Sequence, residues 1–450
     1  MMNERDSFGS KFGILVALAG SAVGLGNLWR FPYLVGNNGG AVFIILYLLF
    51  LTIICLPLMI TEFVVGRRSQ SNVFGAFKVL SQGKSGKAWG KIGFISVISA
   101  LVILSFYSVV GGWTVDYITQ AVCFNFKEGL DYEQTFRYSS ENAFRPLIFT
   151  LIFLLFTAVV VIMGVNKGIE KYTKVMMPLL FVMVIMLAIR SLTLKGAGEG
   201  VKFLFRPDWS KFTIDTVLSA LGQSFFSLSI GCGTIITYAS YVKRNENIVR
   251  LSTETALMDT LFALLAGTAI MPAVFAFGLT PAEGPGLVFV IIPQIFSQLP
   301  MGGIFAILFF VVLFFAALSS SISLLEVMVA YLIEEIHWSR KAAVAISSLS
   351  VTVLAVLCSL SLGMLKHVTL LGNNIFDFMD KLSANILLPV GGLLFVLFAG
   401  WKMTDKEYFD EITNEGSLHF SPVFLKILRF IVRFVAPLVI VLIMLVSFLK

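Results

Sequence analysis

Charge is scarce in this chain. Of its 450 residues only 13% are Asp, Glu, Lys or Arg, about half the usual share in a soluble domain, while 58% are hydrophobic. A water-soluble enzyme is excluded. Polar low-complexity tracts are missing as well: 43 Phe residues and a mean hydropathy of +0.92 rule out a disordered or collagenous chain. Cysteine and histidine are too sparse and scattered for a disulfide framework or a metal cluster. Cys55, Cys123, Cys232 and Cys358 form no CxxC pair, and His337, His367 and His419 stand far apart. No HExxH, Walker loop or nucleophile-base-acid set marks a membrane enzyme, so the chain is read as no enzyme and as needing no organic cofactor. No cleavable signal peptide is expected, because the first apolar run continues through WRFPYLV, and the amino terminus is expected to stay in the cytoplasm.

What the chain has in abundance is long apolar runs. They fall at about 12–36, 40–65, 92–122, 146–164, 172–193, 214–241, 255–278, 301–333, 342–361, 375–400 and 424–449, each near the roughly 20 residues that cross a bilayer. The reading is an all-α integral membrane protein of eleven transmembrane helices. The net charge of +7 sits in short basic clusters between these runs, the pattern of positive-inside topology and not of nucleic-acid binding. Between Arg67 and Lys91 six basic residues occur without one acid, so this loop is expected in the cytoplasm, with an amphipathic helix at the interface. Alternation puts Lys167, Lys171 and Lys174, then Lys243, Arg244 and Arg250, on the same side. The stretch from Arg190 to Lys211 opposes this, with five basic residues on the outside, and the first loops are given precedence.

Two of the runs are interrupted. In the first, Gly20, Gly24 and Gly26 break the apolar sequence, and Asn27, Arg30 and Pro32 follow; in the sixth, Gly231 and Gly233 follow Gln223, Ser224, Ser227 and Ser229. A lone glycine pair ordinarily serves close helix packing. Interruptions five helices apart point instead to unwound helices 1 and 6 around a midplane site, within a 5+5 inverted repeat. The expected division is a cytoplasmic amino terminus over 1–11, a first repeat over 12–190 (helices 1–5) and an extracellular loop over 191–213. A second repeat over 214–400 (helices 6–10) follows, then a cytoplasmic loop and helix 11 over 401–450. Unwound turns free carbonyls and amides that need partners in a low-dielectric medium. Carbonyls suit cations, and helix amino termini suit carboxylates.

The segments GSAVGLGNLWRFP, residues 20–32, and FFSLSIGCGTIITYASYV, residues 225–242, with the serine triplet 319–321, resemble the bacterial members of the neurotransmitter:sodium symporter family, including its carriers of leucine and of several hydrophobic amino acids. That family is itself a standard example of the broken-helix arrangement. The resemblance runs from Arg5 to about Trp401. It implies two sodium ions: one held by Ala22, Asn27, Ser227, Asp259 and the substrate carboxylate, a second by Gly20, Val23, Ala316, Ser319 and Ser320. All are oxygen donors, as a hard cation requires. In isolation, such serines would bond back to their own helix. The substrate residues it implies are Ser21, Ala22, Leu25, Gly26, Ile103, Tyr107, Phe226, Ser227, Ser229, Cys232, Ser320 and Leu324. Tyr107 would bond the substrate carboxylate; outside the resemblance it reads as a packing tyrosine. Gly24 leaves no side chain where monoamine carriers place an aspartate, and nothing is expected to occupy that space, which favours an α-amino acid.

Ser21 and Cys232 stand where bacterial members often have Asn and a bulky aromatic, so a wider pocket and larger hydrophobic or aromatic substrates are expected. Asp259 takes a position usually held by Asn in chloride-dependent relatives, with Ala263 one turn on, so transport is expected to be independent of chloride. An aspartate that is merely hydrogen-bonded is the plain alternative. The outer gate would be Arg30 with Asp380, and the inner gate Arg5 with Glu334, supported by Ser240 and Tyr241; Phe8 replaces a tryptophan there. Without the resemblance Arg30 simply snorkels and Arg5 is a solvated basic residue. Gly168 and Pro178 match the spacing of a release hinge on the fifth helix. Glu62 and Glu326 are buried acids with no assigned cation, read as hydrogen-bonded links between helices.

The function implied is sodium-coupled symport of neutral hydrophobic or aromatic amino acids by alternating access across a bacterial inner membrane, with substrate, sodium and membrane lipid as partners. A non-transporting amino-acid sensor or an ion channel is the competing class. A sensor would need an appended output domain and a channel a ring of filter elements, and neither is visible.

Overall fold

A computed structural model describes residues 7–81, 86–280 and 285–449. The Arg5 assignment therefore lies outside the described residues. Among the described residues the long apolar runs are carried by eleven helical elements. They are α1 (halves Lys11–Ala22 and Gly26–Asn37), α2 (Ala41–Ser69), α3 (Gly86–Val122), α4 (Arg145–Ile162) and α5 (Val165–Leu192). Then come α6 (halves Ile214–Ser227 and Thr234–Ala239), α7 (Ile248–Ala276), α8 (Gly302–Glu334), α9 (Arg340–Leu360), α10 (Ile375–Lys402) and α11 (Pro422–Leu445). Helix is the form an apolar run adopts in lipid, because it satisfies its backbone within one segment.

Among the described residues nine helices are each long and apolar enough to span a bilayer, and the halves of α1, bent by 52°, pass that test together. The chain is a multi-pass membrane protein. The α6 halves, of 14 and 6 residues, are each too short to cross alone. Of the most apolar window of each helix, 72% is buried for α3 and 28% for α11; α3 is central, beside α8, and α11 is peripheral.

Helix ends differ from the hydropathy runs where capping takes over. α7 begins at Ile248, seven residues before its apolar run, because the Asn247 side chain accepts the Arg250 N–H at 2.9 Å and Arg250 pairs with Glu254 at 2.6 Å, one turn on. The basic loop after α2 carries the expected amphipathic helix, Val73–Ser81, with Val73, Ala76 and Phe77 buried and Val79 exposed. Leu287–Ser297, between α7 and α8, is an apolar helical piece that the span count does not contain. A two-residue antiparallel hairpin, Thr369–Leu370 with Asn373–Asn374, leads into α10.

On the face where α1 begins, the helix Asp405–Ile412 docks against the end of α2. Its capping box holds the Glu407 carboxyl below the usual range: partial burial pushes it up, but the Thr404 N–H and hydroxyl, at 2.9 and 2.8 Å, outweigh that. Arg67, 1% exposed, is surrounded by the Glu411 carboxylate at 2.5 Å, Asn414 at 2.8 Å and the backbone carbonyls of Glu246 and Glu411. Deleting this guanidinium leaves the backbone carbonyls of Glu246 and Glu411 without their donor and the half-buried Glu411 carboxylate with only Arg68, at 3.7 Å. Arg67→Ala should therefore lower stability by about 3–5 kcal/mol, read as a fall in the melting temperature of the purified protein.

Candidate functional site

The site is built where α1 and α6 lose their helical hydrogen bonds. In α6, residues 228–233 turn through three left-handed conformations, Ser229 (φ 53), Gly231 (φ 89) and Gly233 (φ 81). Gly231 is required twice over. Beyond its φ, a Cβ there would stand 2.4 Å from the Leu388 carbonyl and 2.8 Å from the Gly392 nitrogen, so α10 runs directly against the break. The freed Gly231 N–H is donated to Glu62 Oε1 at 2.9 Å. In α1 the chain becomes extended at Val23 (φ −70, ψ 110); the Gly24 N–H goes to Asn27 Oδ1 at 3.1 Å and the Leu25 N–H to the Tyr107 hydroxyl on α3 at 3.2 Å. Side chains from three elements thus take up the amides that the two breaks release.

Between the breaks lies a cavity of about 50 Å³. All twelve residues that the family resemblance assigns to substrate line it, from Ser21 and Ala22 on α1 through Ile103 and Tyr107 to Cys232, Ser320 and Leu324. Gly24, Thr234, Ser323 and Leu388 line it too, and sequence reasoning did not name them as lining. The space at Gly24 is not open: a Cβ would stand 2.4 Å from the Ser320 hydroxyl and 3.1 Å from that of Tyr107. This corrects the expectation that nothing occupies it, because α8 and α3 fill the position with hydroxyls. Ser21 Oγ is buried and has no partner among the described residues.

Two oxygen clusters flank the cavity. In the first, the Asp259 carboxylate accepts the Ser227 hydroxyl at 2.6 Å and Asn27 Nδ2 at 2.8 Å; Asn27 Nδ2 also reaches Ser227 at 3.3 Å. Tyr47 from α2 joins them, 3.3 Å from Ser227 and 3.4 Å from Asp259. Tyr47 was invisible in the sequence, a single hydroxyl inside the apolar run AVFIILYLLF. Ala263, on α7 one turn beyond Asp259, is wholly buried and contributes no polar side-chain atom. In the second cluster Ser319 and Ser320 donate to the Val23 carbonyl at 3.2 and 3.3 Å, Ser319 also to that of Ala316 at 3.0 Å, and Gly20 lies against the Ser319 Cβ.

Arg30 and Asp380 line one further cavity, with Trp29, Tyr33, Phe106 and Phe226. No ion pair joins them; Arg30 instead lies over the Phe226 ring at 4.4 Å, a cation–π contact. On the face where α1 begins, Glu334 accepts the Asn72 N–H at 2.7 Å and its side-chain amide at 2.9 Å, while Ser240 is fully buried and donates to the Thr237 carbonyl. Tyr241 donates to Glu326 at 2.8 Å. Glu326 does have a cation, Arg340 at 2.5 Å, which also reaches the Val161 carbonyl. No sequence pattern links the two, because Arg340 starts the next helix, fourteen residues on. Gly168 lies in a widened, π-helical first turn of α5 over Val165–Glu170, packed on the Val160 carbonyl, whereas Pro178 sits inside a continuous helix. Among the described residues the four cysteines are free, and no cluster of His, Cys, Asp and Glu suits a metal.

A membrane bundle with two broken helices facing paired oxygen clusters defines a class, the ion-coupled carriers. A profile of the Sodium:neurotransmitter symporter family matches residues 5–143 and 139–450. The chain is 40% identical over 439 residues, 97% of its own length and 96% of the relative's, to YhdH of Bacillus subtilis, an uncharacterised sodium-dependent transporter. It is 29% identical over 373 residues, 72% of this chain and 39% of that one, to the sodium- and chloride-dependent GABA transporter ine of Drosophila melanogaster. The crystal structure of MhsT in complex with L-phenylalanine superposes with a TM-score of 0.90 at 42% identity, covering 98% of this chain and all of that one. The chain belongs to the sodium:neurotransmitter symporter family. It is a sodium-dependent membrane transporter and not an enzyme.

Proposed function

We propose that this chain imports neutral hydrophobic or aromatic amino acids together with two sodium ions, by alternating access and without chloride. The observation that carries the reading is the cavity where the opened backbone of α1 and α6 meets the unpartnered Ser21 hydroxyl between two oxygen clusters. A zwitterion supplies the missing partners. Its carboxylate would meet the Tyr107 hydroxyl and the first sodium, held by Ala22, Asn27, Ser227 and Asp259, and its side chain would lie among Ile103, Phe226, Cys232 and Leu324. In the first cluster Asn27 presents its nitrogen to Asp259, so a cation there needs a half turn of the amide to bring the oxygen in. The second ion would be held by Gly20, Val23, Ala316, Ser319 and Ser320. The L-phenylalanine held in the MhsT complex supports a large apolar substrate here.

The architecture we infer is eleven spans, with 12–190 and 214–400 as inverted repeats, the amino terminus in the cytoplasm and the protein in the bacterial plasma membrane. Arg30 and Asp380 would close the outer path, and Arg5 with Glu334 the inner one. Two sodium ions entering down about 100 mV and a tenfold gradient release about 7 kcal/mol, enough to hold a neutral substrate roughly 10⁵-fold uphill. Proteoliposomes with a sodium gradient should accumulate labelled phenylalanine or leucine, and those with potassium alone should not. Failure of tryptophan, tyrosine, phenylalanine and leucine alike to compete would end the proposed specificity.

Chloride independence rests on Asp259, whose carboxylate already supplies a negative charge beside the first cation site. Replacing external chloride by gluconate should leave the initial uptake rate unchanged; uptake that vanishes would overturn this part of the reading.

A further inference from the structure

Glu170 ends the widened first turn of α5 and is 2% exposed. Its carboxylate accepts the Gly9 N–H at 2.6 Å and the Ser10 hydroxyl at 2.9 Å, and Lys174 lies 2.6 Å away, one turn along α5. Ser10 is also the cap of α1, its hydroxyl accepting the Gly13 N–H at 3.1 Å. A carboxylate lent by α5 therefore sits on the amino-terminal end of α1, where the helix dipole favours negative charge. The sequence keeps the path open for it. A Cβ at Gly13 would stand 2.1 Å from Glu170 Oε1, and one at Gly9 would be 2.9 Å from Asn166 and 3.5 Å from the carboxylate.

The other neighbour of this end of α1 holds it differently. Phe8 packs edge-on against Tyr238 and Tyr241 of the α6 segment, and its N–H reaches the Tyr241 carbonyl at a long 3.4 Å. Among the described residues the short charge-assisted bonds of Gly9 and Ser10 go to α5, while Lys11 lies a longer 3.7 Å from Glu246 on the other side. The seam they close continues deeper to Gly20, where Thr173 and Met177 of α5 lie 3.5 and 3.4 Å from an added Cβ, beside Ser319 of the second oxygen cluster.

We propose that Glu170 is a positioning residue that latches the first half of α1 to α5. The seam leading to the second cation site then opens only when its bonds to Gly9 and Ser10 break. The proposal rests on the carrier reading for its purpose, not for its test. Lys174 is placed to keep the carboxylate neutralised after release, so opening exposes no unpaired charge.

The test is hydrogen exchange on the full-length protein in lipid nanodiscs without sodium. Glu170→Gln should speed exchange of the amides of residues 9–14 at least about tenfold, as expected for losing two charge-assisted bonds. Glu170→Asp should restore part of the protection, and peptides of α9 and α11 should not change. Wild-type protection at 9–14 in Glu170→Gln would overturn the latch. Should that variant exchange faster throughout, Gly13→Ala decides, since its methyl displaces the carboxylate while leaving every charge in place; unchanged exchange at 9–14 there also overturns the proposal. A second readout is sodium dissociation after rapid dilution, which should quicken in Glu170→Gln and less so in Glu170→Asp. A wild-type protein that accumulates no amino acid would sink the carrier reading while leaving the exchange result to judge the latch.

Discussion

Asp259→Ala should weaken sodium-dependent amino-acid binding by about 100-fold or more. The carboxylate is fully buried and is the acceptor on which Ser227, Asn27 and Tyr47 converge at 2.6, 2.8 and 3.4 Å. Removing one member of a buried charged set costs about 3–5 kcal/mol, and each 1.4 kcal/mol is tenfold in affinity. Asp259→Asn separates charge from shape. It keeps one acceptor for Ser227 and the volume of the side chain, so any loss of sodium affinity it shows belongs to the charge. Titrating labelled phenylalanine binding against sodium for both variants reads this directly. Wild-type sodium affinity in Asp259→Asn would mean that the aspartate serves only as a hydrogen-bond acceptor, and the argument for chloride independence would fall with it.

The second large effect is expected at the break in α6. Gly231→Ala forces a Cβ into a residue at φ 89 and to within 2.4 Å of the Leu388 carbonyl. Left-handed backbone costs an alanine about 1–2 kcal/mol and overpacking about 1–3 more. The backbone of α10 cannot retreat as a flexible side chain would, so α6 and α10 must part. Substrate binding should be lost, with a melting temperature lowered by several degrees. Gly222→Ala, on the same helix but with no atom within 4 Å of the added Cβ, should fold and melt as the wild type does. Equal behaviour of the two variants would show that the turn at 228–233 is not held against α10 as described.

The same positions separate what is legible in the sequence from what is not. The breaks are legible because glycine has a physical signature: at Gly231 the backbone needs a conformation and a close approach that only glycine tolerates, and a close approach is written at Gly24 as well. The cavity-lining residues come from the family resemblance, and in the structure they lie on or opposite those breaks. Charge pairing is not legible. Arg67 with Glu411, Glu326 with Arg340 and Glu170 with Gly9 and Ser10 join residues that sequence order separates, and no spacing rule connects them. Tyr47 is hidden for a different reason: in an apolar run a tyrosine reads as packing, and only its approach to Asp259 gives its hydroxyl a role. The outer gate is read from opposite charge alone, and the sequence does not show the contact that sets Arg30 over Phe226 in this structure.

Coupling between ion and substrate is the central claim, and thermodynamic linkage makes it measurable in one titration: whatever sodium does to substrate affinity, substrate must do to sodium affinity. Labelled phenylalanine binding to the purified full-length chain, measured from low to high sodium at constant ionic strength, should tighten with a log–log slope approaching two below sodium saturation. Affinity that is the same in potassium as in sodium would contradict the account.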